Sequence, residues 1–191
     1  MESLWIRELI LLSFLVLGIS DLMMVRQPQR CRLPPVIWSR TVSGLYWGTS
    51  WLLAVLLHQL IGWPLRIGWL VDLNHGCLIQ FLSGLLLFAG LSLALWARWT
   101  MRDAFQPPGL RPTEETPLIV DGPFRWTRNP NYLGYLIMWI GAQGLLLSEF
   151  IFFVWIPWLL FLGWIHREEV VLHEKYGNQY REYCRTVPQF F

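Results

Sequence analysis

Five long hydrophobic segments, separated by polar stretches, make up most of the chain. Two of them contain runs of 25 residues, 41–65 and 73–97, without a single Lys, Arg, Asp or Glu. Each run exceeds the ~18 apolar residues needed to cross the core of a bilayer. The predicted membrane spans are 4–25, 41–63, 76–97, 131–148 and 150–165. The pattern therefore predicts an all-α, polytopic membrane protein with about five transmembrane helices.

The order of these segments predicts a single membrane domain over residues 1–191. Its expected parts are three N-terminal spans (1–100), a polar loop (101–130), a helical hairpin (131–165) and a short cytoplasmic helical tail (166–191). The first segment is interpreted as a retained span, because no small-x-small cleavage site follows it.

The last two hydrophobic segments are separated only by Ser148 and Glu149. So short a link predicts a tight hairpin of two antiparallel helices. The hairpin would bring residues 122–132, which precede its first helix, next to residues 166–185, which follow its second.

Composition and charge support the membrane assignment and indicate an orientation. The chain is 54% hydrophobic and 15% charged, whereas a soluble domain has about 25% charged residues. A net charge of +2 gives no indication of nucleic-acid binding. Segments 26–40, 98–130 and the tail carry 13 of the 15 Lys and Arg residues. By the positive-inside rule, the N-terminus lies outside, and the C-terminus and any site near it are cytoplasmic.

The three cysteines, Cys31, Cys77 and Cys184, are far apart and form no Cys-x-x-Cys pair. This spacing predicts neither a disulfide framework nor a metal site.

A basic, aromatic segment, bracketed by the helix breakers Gly122-Pro123 and Pro130, precedes the fourth span. Pro130 suits the first turn of a helix, and Asn129 before it can act as the N-cap. A helix N-terminus beside Arg125 and Arg128 favours an anionic group, either a ligand or the headgroup of an anionic lipid.

Two adjacent carboxylates, Glu168 and Glu169, follow the fifth span. Carboxylates next to a membrane span are costly unless they are paired. Their candidate partners are Arg125, Arg128 and Arg167. On its own such a run is usually a solvated helix face, but the hairpin places it against the basic segment.

The tail reads as a helix end, a glycine cap at Gly177 and a second short helix. Tyr176, Tyr180 and Tyr183 lie three to four residues apart and are expected to share a face. They could dock the tail, or hold a sulfonium or ammonium ion by cation–π attraction.

The C-terminal part of the chain, 116–191, resembles the isoprenylcysteine carboxyl methyltransferase and phospholipid methyltransferase superfamily. The hallmark of that superfamily is Arg-His-Pro-x-Tyr-x-Gly, then a hydrophobic stretch, then Glu-Glu. The matching elements here are Gly122-Pro123-Phe124-Arg125, Arg128-Asn129-Pro130-Asn131-Tyr132-Leu133-Gly134, Glu168-Glu169, Tyr176-Gly177 and Val187-Pro188. The resemblance implies an integral membrane enzyme that transfers a methyl group from S-adenosylmethionine, bound at the cytoplasmic mouth of the last hairpin, to a lipid, isoprenylcysteine-like or other membrane-partitioned acceptor.

The resemblance also implies roles for individual residues. The implied cofactor-binding residues are Thr116, Pro117, Leu118, Ile119, Phe124, Asn129, Pro130, Asn131, Tyr132 and Glu169. The residues expected to act on the acceptor or in catalysis are Arg128, Glu168 and Arg167. Asn129 departs from the pattern, because the superfamily usually has His there, and Asn cannot titrate near neutrality as His does.

Two other functions remain open from the sequence. Membrane sterol reductases, which use NADPH, are similar in the Arg-x-Pro-Asn-Tyr-x-Gly segment and in parts of the tail. They usually carry an acidic residue where this chain has Tyr135, and they are much longer. A membrane scaffold without enzymatic activity would explain the spans, but not the convergence of Arg, Asn and Glu at one site.

Overall fold

The computed structural model describes residues 4–25, 73–102, 117–147, 151–152 and 154–190, and these residues contain helices and no strand. Five α-helices and one 3-10 turn follow in chain order. Their bounds are α1 Leu4–Val25, α2 Leu73–Met101, the 3-10 turn Gly122–Arg125, α3 Pro130–Leu145, α4 Trp155–Tyr176 and α5 Asn178–Thr186. The prediction of an all-α fold is therefore confirmed for the described part of the chain.

The C-terminal ends of α2 and α4 extend beyond the hydropathy prediction. α2 continues to Met101 rather than 97, and α4 continues to Tyr176 rather than 165. Hydropathy marks where apolar residues stop, whereas the backbone hydrogen bonds of a helix continue through polar residues. The predicted span 41–63 and the link at Ser148 and Glu149 lie outside the described residues.

Part of α2, Gly76–Met101, is long and apolar enough to cross a membrane, with 26 residues and a mean hydropathy of 2.1. It is the one such helix among the described residues. Large apolar side chains such as Phe81, Leu85 and Phe88 are exposed along it, as is expected of a helix that faces lipid. The count of five spans stays a prediction.

A seam of small residues brings α2 and α3 into close contact. A Cβ added at Gly90 would lie 2.6 Å from Gly134 O and from Met138 N, and one at Gly141 would lie 2.5 Å from Leu87 N. The space that a side chain would fill is therefore occupied by the backbone of the neighbouring helix. Small residues at such a seam allow the close backbone approach that stabilises helix pairs in membranes.

Arg98 is the largest side chain fully buried in this bundle, at 1% exposure. Its guanidinium donates hydrogen bonds to the hydroxyls of Ser20 on α1 and Tyr135 on α3. The charge count groups Arg98 with segment 98–130, whereas the structure places it on α2 and buries it in the helix bundle. A buried cation inside an apolar bundle requires such polar partners.

A cluster of hydrophobic side chains joins α3 to α4. The rings of Tyr132 and Phe161 lie 5.4 Å apart, and Ile165 is fully buried beside them. These contacts join the start of α3 to the first half of α4, so the two helices position the polar residues that follow.

Candidate active site

The segment that leads into α3 is fixed by a glycine. Gly122 has a φ of 60°, in the left-handed region that favours glycine. A Cβ there would also lie 2.7 Å from Thr100 Oγ1 at the end of α2. Next to it, the rings of Trp96 and Trp126 meet edge to face at 5.4 Å. The glycine thereby holds the 3-10 turn against α2, directly before the basic segment.

The start of α3 agrees with the sequence prediction in position but not in every contact. Pro130 is the first helical residue, and Asn129 is the N-cap residue, whose carbonyl accepts a hydrogen bond from Leu133 N at 3.0 Å. The Asn129 side chain makes no capping hydrogen bond. It donates instead from Nδ2 to the carbonyl oxygen of Gln189, at 3.2 Å. The prediction that Asn129 is the N-cap residue is therefore confirmed in position, but its side chain bonds to the tail and not to the first turn of α3.

Arg128 and Glu169 form a half-buried ion pair at the centre of the site. The distance from Arg128 Nη1 to Glu169 Oε1 is 2.8 Å, and the two side chains are only 15% and 19% exposed. Burial alone would lower the pKa of Arg128, but Glu169, Cys184 and Tyr180 together outweigh that effect and the pKa is raised. Arg128 therefore keeps its charge, and its Nη1 also donates to Cys184 Sγ at 2.7 Å.

Glu168 has a different environment from its neighbour. Its Oε1 accepts a hydrogen bond of 2.7 Å from the hydroxyl of Tyr132. Burial raises the pKa of the Glu168 carboxyl from 4.5 to about 7, although the hydrogen bond from Tyr132 partly opposes the shift. Glu168 can therefore gain or lose a proton near neutral pH.

The C-terminal tail lies against the basic segment. Arg128 N donates to the carbonyl of Pro188 at 3.0 Å, and the Thr127 hydroxyl donates to the carbonyl of Gln189 at 2.9 Å. Sequence reasoning missed these contacts, because backbone carbonyls give no signal in residue identity. The Val187-Pro188 motif was the one indication that this part of the tail is structurally specific.

The tyrosines of the tail have structural contacts. Tyr180 is buried and packs edge to face on His173 at 4.7 Å. Tyr183 donates a hydrogen bond of 2.6 Å to the carbonyl of Phe124. Burial raises the pKa of Tyr183 to about 12, opposed by the charge of Arg128, so the hydroxyl stays a donor. Tyr176 lies on α4, before the break at Gly177, whereas Tyr180 and Tyr183 lie on α5. The prediction that the three tyrosines share one helix face is therefore wrong.

The structure brings together the predicted residues Arg128, Asn129, Tyr132, Glu168 and Glu169. The prediction that residues 122–132 lie beside residues 166–185 is confirmed by their ion pair and hydrogen bonds.

Other predicted site residues lie at the edge of this cluster or away from it. Arg167 is exposed on α4, and the contacts of the described residues do not join it to Arg128. Pro117, Leu118 and Ile119 precede the 3-10 turn without helical structure. Leu118 lines an open groove of about 390 Å³ between this segment and α5. Thr116 lies outside the described residues.

Three polar atoms in the cluster are buried without a hydrogen bond in the described part of the chain. They are Arg128 Nε, Asn131 Oδ1 and Glu169 Oε1, the last of which lies in the ion pair with Arg128 Nη1. The first is a donor and the other two are acceptors, so a ligand with both kinds of group would satisfy them.

The described residues thus combine a membrane-length apolar helix with a charged cluster where α3 and α4 meet, in an all-helical fold. Residues 78–179 match the family described as Phospholipid methyltransferase. Because this match covers more than half of the chain, the chain belongs to the phospholipid methyltransferase family, and the resemblance seen in the sequence is confirmed.

Individual relatives are similar over shorter regions. The chain is 35% identical over 81 residues to protein-S-isoprenylcysteine O-methyltransferase B of Arabidopsis thaliana, covering 41% of each protein. It is 37% identical over 72 residues to the protein-S-isoprenylcysteine O-methyltransferase of Saccharomyces cerevisiae, covering 37% of this chain and 30% of that protein. The matched region thus spans less than half the length of either relative.

A solved structure shares the fold. The eukaryotic intramembrane Ras methyltransferase, an isoprenylcysteine carboxyl methyltransferase, superposes with a TM-score of 0.54 at 24% identity. The superposition covers 57% of this chain and 40% of that protein.

Proposed function

We propose that the protein is an integral membrane methyltransferase that uses S-adenosylmethionine and methylates a lipid, isoprenylcysteine-like or other membrane-partitioned acceptor. The observation that carries the proposal is the joint placement of the Arg128–Glu169 ion pair and the Tyr132–Glu168 hydrogen bond at the start of α3. Membership of the phospholipid methyltransferase family supports it.

The chemistry of the cluster fits the proposed cofactor. S-adenosylmethionine carries an ammonium, a carboxylate and ribose hydroxyls beside its sulfonium centre. Glu169 and the unpartnered Asn131 Oδ1 can accept hydrogen bonds from the ammonium or the ribose. The N-terminus of α3 suits the carboxylate. When bound, this cofactor supplies an electrophilic methyl group.

The protein residues then mainly position the acceptor and exclude water, because methyl transfer is an in-line displacement. Arg128 would hold an anionic group of the acceptor by charge-assisted hydrogen bonds. Arg167, which is exposed on α4, stays a candidate for contacting an acceptor headgroup at the membrane surface. Glu168, whose pKa is about 7, can take a proton from an acceptor that must lose one.

The acceptor would enter laterally from the bilayer, and the site would face the cytoplasm. This orientation depends on the distribution of basic residues along the sequence. The family match does not favour the sterol reductase alternative, since the relatives reported above are named as methyltransferases.

A transfer assay with purified protein and S-adenosylmethionine labelled in its methyl group tests the proposal. The probes are N-acetyl-S-farnesylcysteine, its methyl ester as a control with a blocked carboxylate, and vesicles containing phosphatidylethanolamine. We expect label in the free carboxylate or in the lipid, and none in the ester. The absence of label in every probe would contradict the proposal, and NADPH-dependent reduction of a sterol would then favour the reductase alternative.

A further inference from the structure

The last four described residues, Val187–Phe190, lie along the segment that carries Arg128. Pro188 O accepts from Arg128 N at 3.0 Å. Gln189 O accepts from Thr127 Oγ1 at 2.9 Å and from Asn129 Nδ2 at 3.2 Å. Three consecutive residues of the basic segment are thus bound to two consecutive carbonyls of the tail.

Thr127 has two bonds in this arrangement. Its hydroxyl donates to Gln189 O and also accepts from Asn129 N, at 3.3 Å. Thr127 is 4% exposed, so an unmade hydrogen bond here would leave a buried polar group unsatisfied. The residue therefore links the tail to the first turn of α3.

Apolar contacts hold the tail in place on both sides of these bonds. Phe190 is 9% exposed and packs its ring on Trp158 of α4 at 4.5 Å. Val187 is 8% exposed at the end of α5. The tail is therefore packed into the fold and does not merely cover its surface.

We propose that Val187–Phe190 and Thr127 form a latch that sets the position of Arg128 in the site, with Thr127 as a positioning residue. The proposal rests on the proposed function, because it gives Arg128 the task of holding the acceptor. The latch fixes the backbone of Arg128, while Glu169 and Cys184 contact its guanidinium from α4 and α5. With its backbone and its guanidinium both held, Arg128 is kept in a fixed position beside Glu169.

The first arm of the test measures the latch itself, without turnover. Thr127→Val keeps the shape of the side chain and removes its hydroxyl. We expect faster amide hydrogen exchange, by about tenfold, in the peptide that contains Arg128, with unchanged exchange in α2. Thr186→Val is the matched control, because the Thr186 hydroxyl is exposed and bonds only within its own helix. Unchanged exchange in Thr127→Val would overturn the latch.

The second arm measures positioning. If Arg128 shifts, the KM for the methyl acceptor identified by the transfer assay should rise about tenfold in Thr127→Val, measured at a temperature at which the variant is folded. Thr127→Ser, which restores the hydroxyl, should restore the KM. Phe190→Leu, which loosens the tail without altering Thr127, should raise the KM in the same direction.

The outcomes separate the two proposals. Faster exchange with an unchanged acceptor KM would overturn the positioning role, because the latch would then be purely structural. If the wild type transfers no methyl group to any probe, the proposed function and the positioning role both fail. The exchange measurement would still decide whether the latch exists.

Discussion

At the scale of single residues, the adjacent carboxylates of Glu168 and Glu169 have different environments. Glu169 pairs with Arg128, whereas Glu168 accepts a hydrogen bond from Tyr132 and has a pKa raised to about 7. The sequence predicted that an arginine would pair with one of the two glutamates, because unpaired charge beside a membrane is costly. It could not predict the contact with Tyr132, which depends on how α3 and α4 pack.

We expect the Glu168 carboxyl to make stability depend on pH. Its pKa is higher in the folded state than in the unfolded chain, so its contribution is fully present below about pH 4.5 and is lost as the pH rises through about 7. At pH 8, Glu168→Gln should therefore be more stable than the wild type by up to about 3 kcal/mol and should melt at a higher temperature. At pH 5, the two proteins should have similar melting temperatures.

Thermal unfolding in one detergent at both pH values checks this expectation. Glu182→Gln, which alters an exposed carboxylate on α5, is the control and should leave the pH dependence of the wild type unchanged. The same pH dependence in wild type and Glu168→Gln would show that Glu168 is not held in the environment described.

At the scale of helices, the close seam between α2 and α3 decides where the start of α3 lies. Hydropathy predicted both helices, and Gly122-Pro123 and Pro130 predicted breaks before α3. The seam itself was not predicted, because a glycine in an apolar helix gives no sign of which neighbour it faces. Asn129 is the N-cap residue that its chemistry suggests. The hydrogen bond from its side chain to the tail was not predicted, because it depends on the tertiary fold.

Gly141→Ala should strongly destabilise the protein. The added Cβ would lie 2.5 Å from Leu87 N and 2.7 Å from Ser83 O, so backbone atoms of α2 would have to move. We expect a loss of roughly 1–3 kcal/mol or more, measured as a lower melting temperature.

Gly163→Ala on α4 is the matched control, because a Cβ there meets nothing within 4 Å. Alanine is the better helix former by about 1 kcal/mol, so this variant should be as stable as the wild type or slightly more so. Equal melting temperatures for the two variants would contradict the seam.

At the scale of the whole molecule, the sequence located the site because the order of elements constrained it. A short link between two hydrophobic segments forces the residues before and after the hairpin together, and the contacts of Arg128 with Glu169 follow from that. The role of the tail could not be predicted, because it acts through the carbonyls of Pro188 and Gln189. Arg98 is a residue for which the sequence was misleading. It lies near the end of a span and was included in the charge count, but it is buried in the helix bundle.

The predicted orientation in the membrane rests on the sequence, in which 13 of the 15 Lys and Arg residues lie in segments assigned to one side. The unequal distribution of basic residues remains when the buried Arg98 is left out of the count. We expect reporter fusions at Ser3 and at Phe191 to report opposite sides of the membrane, with Phe191 in the cytoplasm. Reporters on the same side would contradict a chain with an odd number of spans.

The central claim is that the Arg128–Glu169 cluster binds S-adenosylmethionine, and equilibrium binding of this compound to the purified protein tests it most directly. Glu169→Gln removes a charge from the half-buried ion pair, whereas Asp121→Asn removes one from the exposed pair of Arg125 and Asp121, whose side chains are 70% and 76% exposed. Loss of one charge-assisted hydrogen bond should weaken binding by about tenfold to a hundredfold in Glu169→Gln, with affinity in Asp121→Asn equal to that of the wild type. Equal affinities in all three proteins, or a wild type that does not bind S-adenosylmethionine, would contradict the account.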